Sequence, residues 1–252
     1  GFAHLTGWGS ATVPGSVLVI DARKSKFQST LYLMPTADKN SDEFFANPMI
    51  GEFWVGARPS LAEVSTQLGI DTENLSKLPK HLEKLGKVTT LKNAKFAEAL
   101  STLRFVKDDY EIAQMREAVN VTIRGFGDVA RSLPKAKTHP RGERVVETAF
   151  FSRARLEGYD LGYETIAASG AHACTLHWTK NDGEVKQGDL ILVDAGVELD
   201  SLYTADITRT IPISGKFTDE QKRIYDAVLA AADAAFAIAK PGIKFRDLHN
   251  AA

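Results

Sequence analysis

Residues 189–215 read DLILVDAGVELDSLYTADITRTIPISG. Leu190, Ile191, Leu192 and Val193 form an uninterrupted apolar run, which predicts a strand buried on both faces. It ends on Asp194, followed by Ala195 and Gly196. A second strand-like run covers residues 203–213. Glu198, Asp200 and Ser201, between the two runs, predict a polar hairpin turn, so the strands are expected to be antiparallel neighbours. With a side-chain period of two, Thr204, Asp206, Thr208 and Thr210 share one face of the second strand, while Ala205, Ile207 and Ile211 share the other. A carboxylate among apolar neighbours on such a strand is costly unless a cation compensates it.

Working outward, the segments before this stretch are helical and then strand-like. Asp108 with Glu111 three residues later fits a capping box, and Ile112, Met115, Val119, Ile123, Phe126, Val129 and Leu133 follow at helical spacing, which predicts a helix with that stripe inward and Pro134 as its end. A second helix is predicted over residues 143–157, with Val145, Val146, Ala149 and Phe150 inward and Gly158 as its stop. Strands are expected over residues 163–169 and 174–178, the latter CTLHW. Two helices followed by strands argue for an α+β domain. After the quoted stretch, Thr218 and Gln221 fit another capping box. The apolar stripe Ile224, Ala227, Val228, Ala231, Ala235 and Ile238 predicts a long helix stopped by Lys240, Pro241 and Gly242.

Residues 1–103 read as a smaller α/β domain. Residues 16–21 (SVLVID) and 30–34 (TLYLM) are apolar runs around a charged turn at residues 22–26, a hairpin pattern. Helices are expected over residues 61–68 and 81–85 with Gly69 and Gly86 as stops, and short strands at residues 69–70 and 88–90. The chain opens on a strand-like pattern without a methionine, so its native start is expected to be missing. Trp8, Phe53 and Trp54 are read as core or interface aromatics. His4, His81, His139 and His249 show no useful pairing and are read as surface or capping residues, and His172 is placed in a loop near the site without a role.

The chain has 252 residues, 31 basic and 32 acidic, and a net charge of −1, which removes the electrostatic signal for nucleic acid or an anionic membrane. Its single cysteine, Cys174, allows no internal disulfide and is compatible with a reducing, cytoplasmic setting. No apolar run reaches the length of a membrane span.

VDAG, TADITRT and GKFT, preceded by CTLHW, resemble the pita-bread metallopeptidases, in the branch of Xaa-Pro aminopeptidases (aminopeptidase P) and prolidases. LRFVKDDYEIAQMREA is similar to the opening of that family's catalytic domain, which places a boundary near residue 104. HLTGW and FWVGAR resemble segments of its N-terminal domain. The resemblance implies an α/β, creatinase-like N-terminal domain over residues 1–103, its start truncated, and the first part of an α+β pita-bread catalytic domain over residues 104–252, C-terminally incomplete.

By the same resemblance Asp194 and Asp206 are metal ligands, Asp206 the bridging one, for two divalent ions, usually manganese. His177 is a catalytic residue beside the metals that ligates neither; outside that motif, an ordinary histidine bonded to a carbonyl would be the plainer reading. The implied reaction is hydrolysis, by a water shared between the ions, of peptides with proline at the second position. A homo-oligomer is implied for the full-length protein. The loop between the two aspartates is one residue longer than the family's commonest spacing. The remaining ligands, a histidine and two glutamates, are expected downstream of residue 252, so the chain reads as an inactive fragment of a larger enzyme.

Prolidase is the nearest alternative, and TADITRTIPISGKFT leans toward aminopeptidase P. A non-catalytic pita-bread binding module and creatinase are disfavoured because both available carboxylates are kept, and methionine aminopeptidase because of the extra N-terminal domain.

Overall fold

The computed structural model describes residues 1–23 and 26–252. In chain order its elements are α1 (Phe2–Thr6), β1 (Val17–Asp21), β2 (Gln28–Leu33), α2 (Glu43–Ala46), α3 (Glu52–Val55), α4 (Leu61–Leu68), β3 (Asp71–Asn74), α5 (Leu78–Leu85), α6 (Ala94–Leu103), α7 (Asp109–Ala136), α8 (Gly142–Glu157), β4 (Asp160–Leu161), β5 (Ile166–Ser169), β6 (Leu190–Ala195), β7 (Val197–Glu198), β8 (Ile207–Pro212), α9 (Asp219–Ile238) and α10 (Phe245–Ala251). They fall into two compact units. One comprises Gly1–Thr122, Ala154–Gly162 and Gly196–Ala205; the other comprises Ile123–Arg153, Tyr163–Ala195 and Asp206–Ala252.

In the first unit β1 and β2 form the expected antiparallel hairpin, with Val19 opposite Thr30. Two residues of its expected turn, 24 and 25, lie outside the described residues. β3 adds parallel to β2. Helix α4 delivers the chain to β3: Ser60 and Glu63 close a capping box at its start, and Gly69 ends it in the left-handed region at φ 64°. That cap occupies Gly69, so the strand begins at Asp71 rather than at residue 69. Trp8, Val13, Leu31, Leu33 and Val64 make a buried core, with Phe2, Leu18 and Ile70 packed against it.

Two local expectations fail in this unit. The opening residues form helix α1 rather than a strand. Residues 88–90 are not a strand, because β-propensity without a neighbouring edge to pair with does not make one. Trp8 is in the core; Phe53 and Trp54, on α3, are each 57% exposed, which leaves the interface half of their reading.

The second unit is built on an antiparallel sheet of β5, β6 and β8 with β6 in the middle. Ile191, Val193 and Ala195 of β6 are buried, while Leu190, Leu192 and Asp194 are half-buried. Its apolar run is therefore fully buried on one face only, the antiparallel pattern rather than the two-sided burial expected from hydrophobicity. β5 starts at Ile166 and β8 at Ile207, each later than the apolar pattern suggests.

The connection from β6 to β8, most of it in the first unit, is more than a turn: β7 pairs with β4, Leu161 opposite Val197, and Leu202 takes φ 64°. CTLHW is no strand; a 3-10 turn over Gly170–Cys174 leads into a turn that carries His177.

Helix α7 starts with the expected capping box, Glu111 N–H donating to Asp108 at 2.8 Å and Asp108 N–H to Glu111 at 2.9 Å. It runs to Ala136, past Pro134, which sits in the last turn; the proline removes one intrahelical N–H there, and the helix ends two residues later. Its buried apolar side chains are Ala118, Val121, Val129, Leu133 and Ala136, whereas Ile112, Met115, Val119 and Ile123, expected inward, are exposed. Small residues set this face: a Cβ on Gly125 would lie 2.6 Å from the Phe150 ring of α8. Val146 and Phe150 of α8 are buried as expected. Helix α9 has its Thr218/Gln221 capping box, yet none of its residues is buried and Phe236 is 80% exposed.

Candidate active site

Sheet register decides which side chains converge. Asp194, near the end of β6, stands opposite Ile166 of β5 and Thr208 of β8. It lies on the half-buried face, since its neighbours Val193 and Ala195 occupy the buried one. Asp206 precedes β8 by one residue and follows buried Ala205. The two carboxylates thus come from adjacent strands at the same end of the sheet.

Both line a cavity of about 410 Å³ together with Tyr163, Glu164, Ile166, His177 and Thr179. The three residues singled out from sequence, His177, Asp194 and Asp206, are therefore brought to one cavity. His177 reaches it from an irregular segment rather than from a strand.

Tyr163 escaped the sequence reading. Its hydroxyl lies 2.6 Å from Asp194 Oδ1 and 2.9 Å from Asp206 Oδ1. A phenol has one proton, so the two carboxylates share a single donor. Burial, and then the hydrogen bonds from the hydroxyl to Asp194 and Asp206, hold the phenol well above its ordinary pKa, so it remains protonated and a donor.

Two hard carboxylates converging on one polar point suit part of a divalent-cation site. Among the described residues no group of three or more His, Cys, Asp or Glu side chains converges in this way. Asp194 and Asp206 accordingly fit such a cation as two of its donors and fall short of a full set of about six.

The segment that carries His177 hangs from Glu143, on the first turn of α8. Its side chain is fully buried. Glu143 Oε1 accepts from Ser169 N–H at 2.8 Å and faces His172 Nδ1 at 2.8 Å. Glu143 Oε2 accepts from Trp178 Nε1 at 2.9 Å and from Gly183 N–H at 2.7 Å. His172, given no role from sequence, also stacks on Trp178 with ring centroids 3.9 Å apart. From sequence Glu143 looks like any acidic residue in a first helical turn.

The model of metallopeptidase family M24 matches residues 113–252. Xaa-Pro aminopeptidase 1 of Streptomyces coelicolor is 43% identical over 269 aligned positions, covering 99% of this chain and 54% of that protein. Xaa-Pro aminopeptidase 2 of the same organism is 41% identical, covering 100% and 56%. The chain thus spans about half the length of these curated relatives. Among solved structures, proline aminopeptidase P II from Yersinia pestis superposes with a TM-score of 0.78 at 26% identity, over 98% of this chain and 61% of that one. Zinc-substituted E. coli aminopeptidase P in complex with product gives 0.78 at 26% identity, over 98% and 60%.

Proposed function

We propose that this chain, which belongs to metallopeptidase family M24, is part of a metal-dependent aminopeptidase releasing an N-terminal residue that precedes proline. The observation that carries the reading is the convergence of Asp194, Asp206 and His177 on one cavity in a chain whose relatives are Xaa-Pro aminopeptidases. Those relatives also favour an aminopeptidase over a dipeptidase. Keeping both carboxylates speaks against a non-catalytic module.

In this reading Asp194 and Asp206 would hold divalent metal, Asp206 as the shared ligand, and their hard oxygens suit manganese. Metal bound there would supply Lewis-acid activation of water and of the scissile carbonyl. Tyr163 orients the two carboxylates through its shared hydroxyl. His177 faces the substrate across the cavity and handles a proton or a polar group of the reacting peptide. Two carboxylates fall short of a divalent ion's donor set, so this reading requires ligands beyond Asp194 and Asp206. Residues 1–103 form a creatinase-like domain ahead of the catalytic one, a division supported by the family match beginning at residue 113.

The test is hydrolysis of Xaa-Pro peptides by the full-length protein, before and after chelation and after manganese is returned. Cleavage should disappear with chelator and come back with the metal. Activity indifferent to chelator would overturn the metal mechanism, and cleavage confined to dipeptides would turn the reading toward prolidase.

A further inference from the structure

We propose that Glu143 is a positioning residue, acting through Trp178 and His172 to set where His177 stands in the cavity; this rests on the role given to His177 above. Residues 175–178 have no helix or strand to hold them. Position there must come from tertiary anchors, and these are concentrated on one side chain. Glu143 takes a hydrogen bond from each end of the 169–183 segment, Ser169 N–H and Gly183 N–H, and from two of its rings, His172 and Trp178. Bonds to an ionised acceptor are roughly twice as strong as neutral ones, so four of them on one buried carboxylate make a stiff node.

The node is tightly fitted as well as bonded. A Cβ on Gly183 would fall 2.6 Å from His172 Cε1 and 2.9 Å from Glu143 Cδ. A second anchor holds the segment's far end: buried Asn181, at φ 48°, accepts from Ala167 N–H at 2.9 Å and donates to the Thr165 carbonyl at 2.8 Å, so its amide serves β5 as a short extra strand would. Trp178 follows His177 directly and Thr179 follows Trp178, with His177 and Thr179 both on the cavity wall. Whatever fixes the Trp178 ring therefore fixes the backbone that aims His177.

A neutral residue does not replace Glu143. With Gln, one side of the side chain becomes an N–H₂ group. Placed toward Trp178 and Gly183 it meets two donors; placed toward Ser169 it meets the Ser169 N–H, and His172 Nδ1 must give up its proton to accept from it. Trp178→Phe is the milder change, deleting one donor while keeping a ring to stack on His172.

In the full-length protein Trp178→Phe should lower kcat/KM for an Xaa-Pro peptide by about tenfold, the scale of one lost hydrogen bond to a charged group, and Glu143→Gln by more. Glu143→Asp should recover part of the loss. In a His177→Ala background, itself expected to cost two to four orders of magnitude, Trp178→Phe should change kcat/KM by less than about twofold, because the group it acts through is gone. In histidine-labelled protein the His177 ring signal, identified by its disappearance in His177→Ala, should shift in Trp178→Phe.

Equal losses in both backgrounds with an unmoved His177 signal would overturn the proposal and leave Glu143 a purely structural anchor. If the full-length protein does not cleave Xaa-Pro peptides at all, the function proposed above fails, and the His177 signal alone still decides the positional claim. Should Glu143→Gln fail to fold, Trp178→Phe carries the test.

Discussion

A single tyrosine proton serves two carboxylates in the cavity, and this makes Tyr163 the residue whose loss the pair should feel most. Without the hydroxyl, Asp194 and Asp206 keep their backbone positions in the sheet but lose the donor that aims both side chains. Outer partners that orient ligands are typically worth 10–100-fold in metal affinity. Tyr163→Phe in the full-length protein should weaken manganese binding by about that factor in a calorimetric titration, with little change in melting temperature; unchanged affinity would show that the carboxylates orient themselves. The convergence of Asp194, Asp206 and His177 on one cavity was legible in the sequence because short motifs carry them. Tyr163 and Glu143 were not, because their partners lie 31 or more and 26 or more residues away, and nothing near either one marks it out.

Among the elements, caps and stops were the readable parts. The boxes at Asp108 and Thr218 and the glycine ending α4 need only residues a few positions apart, and all three formed. Strand limits and helix faces were less readable because they depend on what lies alongside. The large apolar side chains of α7 mark one stripe, while the face that is buried uses Ala118 and Gly125, whose small size permits close packing. Glu111, at the start of α7, is more than a capping residue: it also accepts from the Tyr203 hydroxyl and faces His4 Nδ1 at 3.2 Å.

These contacts hold the Glu111 carboxyl below the ordinary carboxylate range, the Tyr203 hydrogen bond first, then the Asp108 N–H, with burial opposing and His4 adding to the shift. A carboxyl with a lowered folded pKa binds fewer protons folded than unfolded, so its contribution is complete above the unfolded value, about 4.3, and is lost as pH falls through the lower folded value. Tyr203→Phe removes the largest cause. The variant should show a lower denaturant midpoint than the parent at pH 7, with the gap narrowing below about pH 4. A gap that persists or widens in acid would mean that Tyr203 stabilises through packing rather than through the Glu111 charge.

At the scale of the molecule, each compact unit is assembled from three separate stretches of chain, a long-range property that no local pattern encodes. The same scale decides what the 252 residues can do with metal. Asp194 and Asp206 offer at most about four oxygens, whereas a divalent ion of this type takes about six donors. Two such divalent ions roughly 3.5 Å apart repel by about 19 kcal/mol at an effective dielectric constant of about 20, and only the charge of shared ligands offsets this. Among the described residues no third carboxylate or imidazole joins the pair to supply it. The 252-residue chain by itself should therefore hold at most one manganese ion, weakly, and should not hydrolyse Xaa-Pro peptides. The exposed Ile224, Val228 and Phe236 of α9 should also make it bind an apolar dye more strongly than the full-length protein does. Manganese titration, peptide hydrolysis and dye fluorescence on the two proteins side by side measure all three. Two tightly bound ions, or full activity, in the 252-residue chain would place the missing donors among residues already present and refute the assignment of Asp194 and Asp206 as part of a larger set.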